Sequence, residues 1–276
     1  MLVQKIAAFT RNGAGGNPAG VVIVDRLPPE QEMQRVAREV GYSETVFSAP
    51  SEGHWVTRYF SPEMEVPFCG HATIALGAAL AQQYGDGAFK LAIKSGMIEV
   101  SGQQTDGSIS CILRSPPTRH ASVDPSTKAE LLQLFGYGDD ELDPSIPLCR
   151  INAGANHFLL PLKARDALSR MAYDLGDGQS FMQKKNVVTV ALVWRETDTV
   201  FHARNAFASS GIFEDPATGA AAAAFAGMMR DQHRTSGNSL VVIQGEDMGH
   251  PSEILVRFTD AVGSPVFVAG TTRHIP

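Results

Sequence analysis

The chain alternates between short runs rich in β-branched and aromatic residues and two longer runs of small apolar residues. Runs of the first kind, bounded by Gly, Pro, Asn and Asp, predict strands over residues 2–9, 20–24, 45–49, 55–60, 88–93, 97–100 and 108–113. They also predict strands near 150–152 and 157–160, and over 187–194, 199–204, 240–243, 254–258 and 266–269. Met33, Val36, Ala37 and Val40 recur at helical spacing after Pro28 and Pro29, with Gly41 behind them. That narrow apolar stripe predicts a surface helix laid over a sheet. A further amphipathic helix is expected over 127–135, and two helical patches between Ala164 and Lys184.

The small apolar runs are 72–84 (ATIALGAALAQQY) and 220–229. A helix with no polar face is buried nearly all round, so each needs a sheet curled about it. A special turn precedes each: Cys69-Gly70-His71 before the first, Asp215-Pro216-Ala217-Thr218-Gly219 before the second. Residues 12–19 read as a turn, 61–68 as a connector, and the Pro-bearing polar stretch 115–125 as the best linker. The two halves share a plan, which points to a degenerate duplication. The expected class is α+β: two similar domains, each a curled, mostly antiparallel sheet around a central buried helix. Their expected bounds are 1–115 and 116–264, with the strand in 265–276 free to return to the first.

Composition narrows the function. The 276 residues are 43% hydrophobic and 19% charged, a globular balance. With 23 Lys+Arg against 29 Asp+Glu the net charge is -6, so a nucleic-acid partner is not expected. Three scattered cysteines, Cys69, Cys111 and Cys149, do not make a disulfide framework, and their odd number suits a reducing compartment. No apolar run reaches the roughly 18 residues of a membrane span. The expectation is a cytoplasmic protein with no membrane partner.

The special turns carry the candidate chemistry. A helix N-terminus presents unpaired N–H groups and partial positive charge, so two such ends would suit a small carboxylate ligand. Gly70 and Gly219 would let a ligand approach the backbone; tight turns or close helix packing would explain them equally well. Glu44 beside a strand could act as a general base or acid if burial lifts its pKa. His71 in a first helical turn could carry one proton. Asp215 precedes a helix, where an N-cap is the ordinary role of Asp. Cys69 could be a thiolate or an inert buried thiol. A two-thiol racemase would need a second cysteine at the second turn, and 214–224 contains none. Residues 13–18 depart from a dinucleotide fingerprint at Pro18, no phosphate-binding loop or Gly-x-Ser-x-Gly elbow is present, and Cys69 with His71 alone makes no zinc site. No cofactor and no metal are expected.

Six motifs occur in order: Gly16-Asn17-Pro18-Ala19-Gly20, Ser43-Glu44-Thr45, Arg58-Tyr59-Phe60-Ser61-Pro62, Pro67-Phe68-Cys69-Gly70-His71-Ala72-Thr73, Glu214-Asp215-Pro216-Ala217-Thr218-Gly219, and Gln244-Gly245. Together they resemble the phenazine biosynthesis PhzF-like family, related by fold to diaminopimelate epimerase. The resemblance implies two domains with the active site between them, a homodimer, and a cofactor-independent isomerase acting on a small amino or hydroxy carboxylic acid. The best-understood member of that family isomerises trans-2,3-dihydro-3-hydroxyanthranilate. It implies catalytic roles for Glu44, His71 and Asp215, and substrate-binding positions at Asn17, Ser43, Gly70, Ala72, Thr218, Gly219 and Ala220. Two positions depart from the family pattern: Ala220 where many relatives carry Ser, and His250 where Arg is common. Competing readings are an amino-acid epimerase using Cys69 and a non-catalytic binding protein that keeps the site.

Overall fold

The computed structural model describes residues 1–105 and 108–276. The chain separates into two compact units. The first comprises 1–114 and Ala269–Pro276, the second Ser115–Val268.

The first unit contains β1 (Gln4–Thr10), β2 (Asn17–Ile23), α1 (Glu30–Val40), β3 (Thr45–Ser51), β4 (His54–Phe60), β5 (Glu65–Val66), α2 (Gly70–Tyr84), β6 (Gly87–Ile93), β7 (Gly96–Thr105) and β8 (Ser108–Arg114). The strand at Phe267–His274, β17 in chain order, pairs antiparallel with β1, Ile6 lying opposite His274. Neighbouring pairs then run β1–β2, β2–β3, β3–β4, β4–β6, β6–β7 and β7–β8, and β8 pairs back to β17. The sheet therefore closes into a ring. Its middle is filled by α2, whose residues from His71 to Ala81 are all buried. The uniformly small side chains are what let a helix fit inside: a Cβ on Gly77 would stand 2.7 Å from Val100 Cγ2. Helix α1 lies on the outside, packing Met33, Val36 and Ala37 against Val22, Phe47 and Phe60.

The second unit contains β9 (Arg119–Ser122), α3 (Pro125–Phe135), β10 (Cys149–Asn152), β11 (Asn156–Leu162), α4 (Arg165–Ser169), α5 (Leu175–Lys185), β12 (Thr189–Arg195), β13 (Val200–Phe207), β14 (Ile212–Asp215), α6 (Gly219–Asp231), β15 (Ser239–Gln244) and β16 (Ser252–Arg257). The sheet runs β9–β10–β11–β12–β13–β15–β16, with β14 paired to β13. It curls about α6, which packs on β9, β10, β11, β15 and β16 and is buried along nearly its whole length. Helices α3, α4 and α5 cover a second apolar cluster built from Leu131, Phe158, Leu160, Leu168, Met182 and Leu192. The α+β class, with curled sheets around central buried helices, is thus present in both units.

Three local expectations are corrected. The stretch 115–125 begins where the chain passes from the first unit to the second, but it is ordered rather than a free linker. Thr118 is buried, its N–H donates to Gly263 O at 3.1 Å, Ser115 N–H donates to Val266 O at 2.8 Å, and 119–122 form β9. The turn at 12–19 is shorter than expected. Asn17 and Pro18 already belong to β2, opposite Ala8 and Ala7, and Gly16 makes the bend with φ +84°. Glu214 and Asp215 end a strand, β14, rather than a loop. Among the described residues no helix is long and apolar enough to cross a membrane.

Candidate active site

In the first unit the starts of β2, β3 and α2 bring Asn17, Ser43, Glu44, Cys69 and His71 together. Parallel pairing of β2 and β3 sets Glu44 beside β2, with Gly20 N–H donating to Glu44 O at 3.2 Å. The start of α2 is anchored by a buried relay. Thr73 Oγ1 donates to Cys69 O at 2.6 Å, so Tyr59 OH donates to Thr73 Oγ1 at 2.7 Å. Arg58, next to Tyr59 on β4, pairs with Glu65 through two bonds of 2.7 and 2.6 Å. The Arg58-Tyr59 motif is therefore scaffold for the site.

His71 stands at the centre of this group. Its Nε2 lies 3.3 Å from Glu44 Oε2 and 3.4 Å from Ser43 Oγ. Its Nδ1 lies 3.3 Å from Asn17 Nδ2 and 3.3 Å from Cys69 Sγ. An amide nitrogen only donates, so Asn17 in this orientation leaves Nδ1 as acceptor and places the ring proton on Nε2, where Ser43 Oγ accepts it at 3.4 Å. Glu44 Oε2 is buried and, despite its nearness to His71, is out of line for a hydrogen bond. Burial raises the Glu44 pKa above the ordinary 4.5, against opposing hydrogen bonds from Ser43 and Cys69. A carboxyl group so placed keeps its proton to higher pH than an exposed one and is a stronger base once ionised.

Gly70 opens α2. A Cβ built there would meet nothing within 4 Å, and its φ is not left-handed. Neither a tight turn nor close packing requires glycine at this position, and Gly70 is half-buried beside open space. Ala72 is fully buried. Glu44, Cys69 and His71 offer ligand atoms within 4.8 Å of one another. Cys69 Sγ, however, lies 3.3 Å from Nδ1 and 3.8 Å from Nε2. A ligand on the lone-pair axis of one imidazole nitrogen stands far from the other, so the sulfur is off both axes. The cluster is arranged for proton and hydrogen-bond exchange rather than coordination. Cys111 and Cys149, by contrast, are buried thiols pushed up to about 12 by desolvation.

In the second unit the turn before α6 is built around Asp215. Asp215 is not the cap of the helix; the N-cap residue is Thr218. Thr218 Oγ1 donates to Asp215 Oδ2 at 2.5 Å. Gln244, on β15, stitches the turn: its Nε2 donates to Asp215 O at 2.6 Å and to Thr218 Oγ1 at 3.1 Å, and its Oε1 accepts from Thr218 N–H at 3.1 Å. Both polar groups of Thr218 are thus committed to the turn. Gly219 is buried at the start of α6 and Ala220 is half-buried beside it. Glu214 forms a two-pronged buried ion pair with Arg204, at 3.0 and 2.5 Å, and Arg204 also donates to Ser169 O. Sequence reasoning assigned no role to Gln244 or Arg204. Only the position of Gln244 in an ordered motif marked it.

Comparison with known proteins follows this geometry. The family model described as "Phenazine biosynthesis-like protein" (PhzC-PhzF) matches residues 6–273. The chain is 30% identical to a Bacillus subtilis protein named an uncharacterized isomerase, over 95% of this chain and 92% of the relative. It is 31% identical to trans-2,3-dihydro-3-hydroxyanthranilate isomerase of Pseudomonas fluorescens, over 90% of this chain and 86% of the relative. The structure of a Bacillus anthracis phenazine biosynthesis protein of the PhzF family superposes with TM-score 0.87 at 26% identity, over 99% of this chain and 96% of that one. A probable proline racemase from Agrobacterium radiobacter shares the fold, with TM-score 0.64 at 13% identity over 99% and 90% of the two chains.

Proposed function

The chain belongs to the phenazine biosynthesis-like (PhzC-PhzF) family and is an isomerase, and on that premise we propose that Glu44 is its proton carrier. Glu44 takes a proton from an sp³ carbon of a small amino or hydroxy carboxylic acid and returns it at another position, without a cofactor. The observation that carries this reading is the buried Glu44 carboxyl 3.3 Å from His71 Nε2, with its pKa raised by desolvation. A carboxylate of ordinary pKa is too weak a base for a carbon acid; desolvation strengthens it, and positioned acid–base catalysis contributes roughly 10²–10⁴-fold.

The neighbouring His71 ring, its Nε2 3.3 Å from Glu44 Oε2, steadies the carboxylate as it cycles between charged and neutral forms. The open backbone at Gly70 offers N–H groups to a substrate carboxylate. In the second unit, Asp215 accepts hydrogen bonds from polar substrate groups, in a turn that Gln244 keeps fixed. The substrate resembles that named for the Pseudomonas fluorescens relative in class: an amine, a hydroxyl and a carboxylate on a small skeleton. A homodimer in the cytoplasm belongs to the same proposal.

The test is incubation in D₂O with trans-2,3-dihydro-3-hydroxyanthranilate and a panel of small amino and hydroxy acids, followed by proton NMR. Deuterium entering at carbon supports the isomerase chemistry and identifies the responsive class. Binding of several compounds with no exchange in any would turn the reading toward a binding protein.

A further inference from the structure

Strands β13 and β14 form a two-faced ribbon. Asn205 lies opposite Asp215, and Ala206 opposite Glu214. Directly opposed residues of an antiparallel pair project to the same face, with Cβ atoms about 4.5–5.5 Å apart. One face therefore carries Glu214 and its partner Arg204, closed by their ion pair. The other carries Asn205 beside Asp215.

Asn205 is 1% exposed, and its Oδ1 is buried with no hydrogen-bond partner among the described residues. Buried amides without partners are rare, because they give up hydrogen bonds to water and gain nothing in exchange. The position itself asks for no amide. It lies within a strand, flanked by the buried Arg204 and Ala206, where a β-branched apolar residue would pack without an orphaned polar atom. The orphan sits on the one face of the ribbon that also presents Asp215.

We propose that Asn205 is a specificity-determining residue that reads an amine on the substrate. This rests on the reading of Asp215 as a substrate contact. The Asp215 carboxylate and the Asn205 carbonyl oxygen are both acceptors. An amine brings two or more N–H donors and can satisfy both, whereas a hydroxyl brings one; with that donor on Asp215 a hydroxyl can only accept from Asn205 Nδ2, and Oδ1 stays unpaired. Rotation of the amide about χ2, a broad and shallow torsion, turns Oδ1 toward the bound group. The residue pair therefore selects amino-bearing carboxylic acids over their hydroxy counterparts. The cost of the unpartnered amide is a feature held for recognition, as polar exceptions in a packed core often are.

The experiment compares the wild-type protein with Asn205→Leu and Asn205→Val. The readouts are thermal unfolding and calorimetric binding of anthranilate and salicylate, which share ring and carboxylate and differ in amine against hydroxyl. Wild-type protein is expected to prefer anthranilate by about tenfold, the scale of one well-made hydrogen bond. Both variants should lose that preference while unfolding at a higher temperature than wild type. A purely structural asparagine would do the reverse, lowering the unfolding temperature without altering the ratio. Absence of the preference in wild type, its survival in both variants, or a fall in unfolding temperature in both would overturn the assignment. Asp215→Asn separates this from the parent reading. If it leaves both affinities unchanged, Asp215 is not a substrate contact and the paired reading falls with it; if it weakens binding while the Asn205 variants keep the preference, the Asn205 assignment alone is overturned.

Discussion

Glu44 Oε2 and His71 Nε2 lie 3.3 Å apart, and both residues are largely buried. The carboxyl oxygen is nearly desolvated yet not fully compensated, which is the condition that lifts a carboxyl pKa. Stability follows from the sign of that shift. A group whose folded pKa is raised binds protons more tightly in the native state, so its contribution is full below the unfolded value of 4.5 and is lost as pH rises through the folded value. Glu44→Gln is therefore expected to be more stable than wild type at pH 7–8, with the gap closing below about pH 4.5. Thermal unfolding of the two proteins across this range checks it; a gap that widens toward acid contradicts it. The acidic limb of wild-type activity should likewise lie above 4.5, because the base must be ionised and a raised pKa protonates it earlier as pH falls.

Cys69 separates two chemistries. It touches His71 and donates a hydrogen bond to Glu44, but the second turn holds no partner cysteine. With Glu44 as proton carrier, Cys69→Ser keeps the hydrogen bond and lowers kcat by only a few fold, about the worth of a hydrogen-bond adjustment near 1 kcal/mol. Loss of activity by 10³-fold or so would instead make the thiol a catalytic base, as acid–base groups of that kind contribute on this scale. Steady-state kinetics on the responsive substrate decides between them.

Two glycines of α2 should respond oppositely to alanine. At Gly70 the new methyl meets open space, and alanine in a helix is favoured over glycine by roughly 0.5–1 kcal/mol. Gly70→Ala should leave stability unchanged or improved while raising KM, since the methyl fills the open space through which a substrate carboxylate would reach the backbone. At Gly77 the methyl would press on Val100 Cγ2 at 2.7 Å, so Gly77→Ala should destabilise by about 1–3 kcal/mol through overpacking. Unfolding temperatures and KM for both variants test the contrast.

The Arg204–Glu214 pair anchors β14 beneath Asp215. Glu214→Gln leaves a buried guanidinium partly unpaired and should cost about 3–5 kcal/mol. The double change Arg204→Met with Glu214→Leu should cost less than the single change, because the desolvated charges leave together. Chemical denaturation of the three variants gives the comparison.

Much of this architecture is written locally in the chain. The stripe of Met33, Val36, Ala37 and Val40 specified α1, and the unbroken small apolar runs specified α2 and α6 and the need for sheets around them. What escaped local reading depends on distant partners. The polar β9 exists because β10 pairs with it and because Thr118 and Ser115 bond to Gly263 and Val266. The short β14 is held by β13 and by the Arg204 ion pair. In the site, Glu44, Cys69 and His71 could each be singled out as chemistry-bearing, but their meeting across 25 residues is a product of parallel β2–β3 pairing and of α2 threading the ring. Asn205 carries no local signal and Gln244 only its place in an ordered motif; the position of the one follows from register and the contacts of the other from a turn that only the folded chain displays.

The central claim is that Glu44 moves the proton. The most direct measurement is deuterium incorporation at carbon, by proton NMR in D₂O, with wild type and Glu44→Gln compared on the substrate that responds. The account predicts incorporation by wild type and its loss in Glu44→Gln by at least about 10²-fold, with the fold and ligand binding retained. Undiminished incorporation in Glu44→Gln would contradict it.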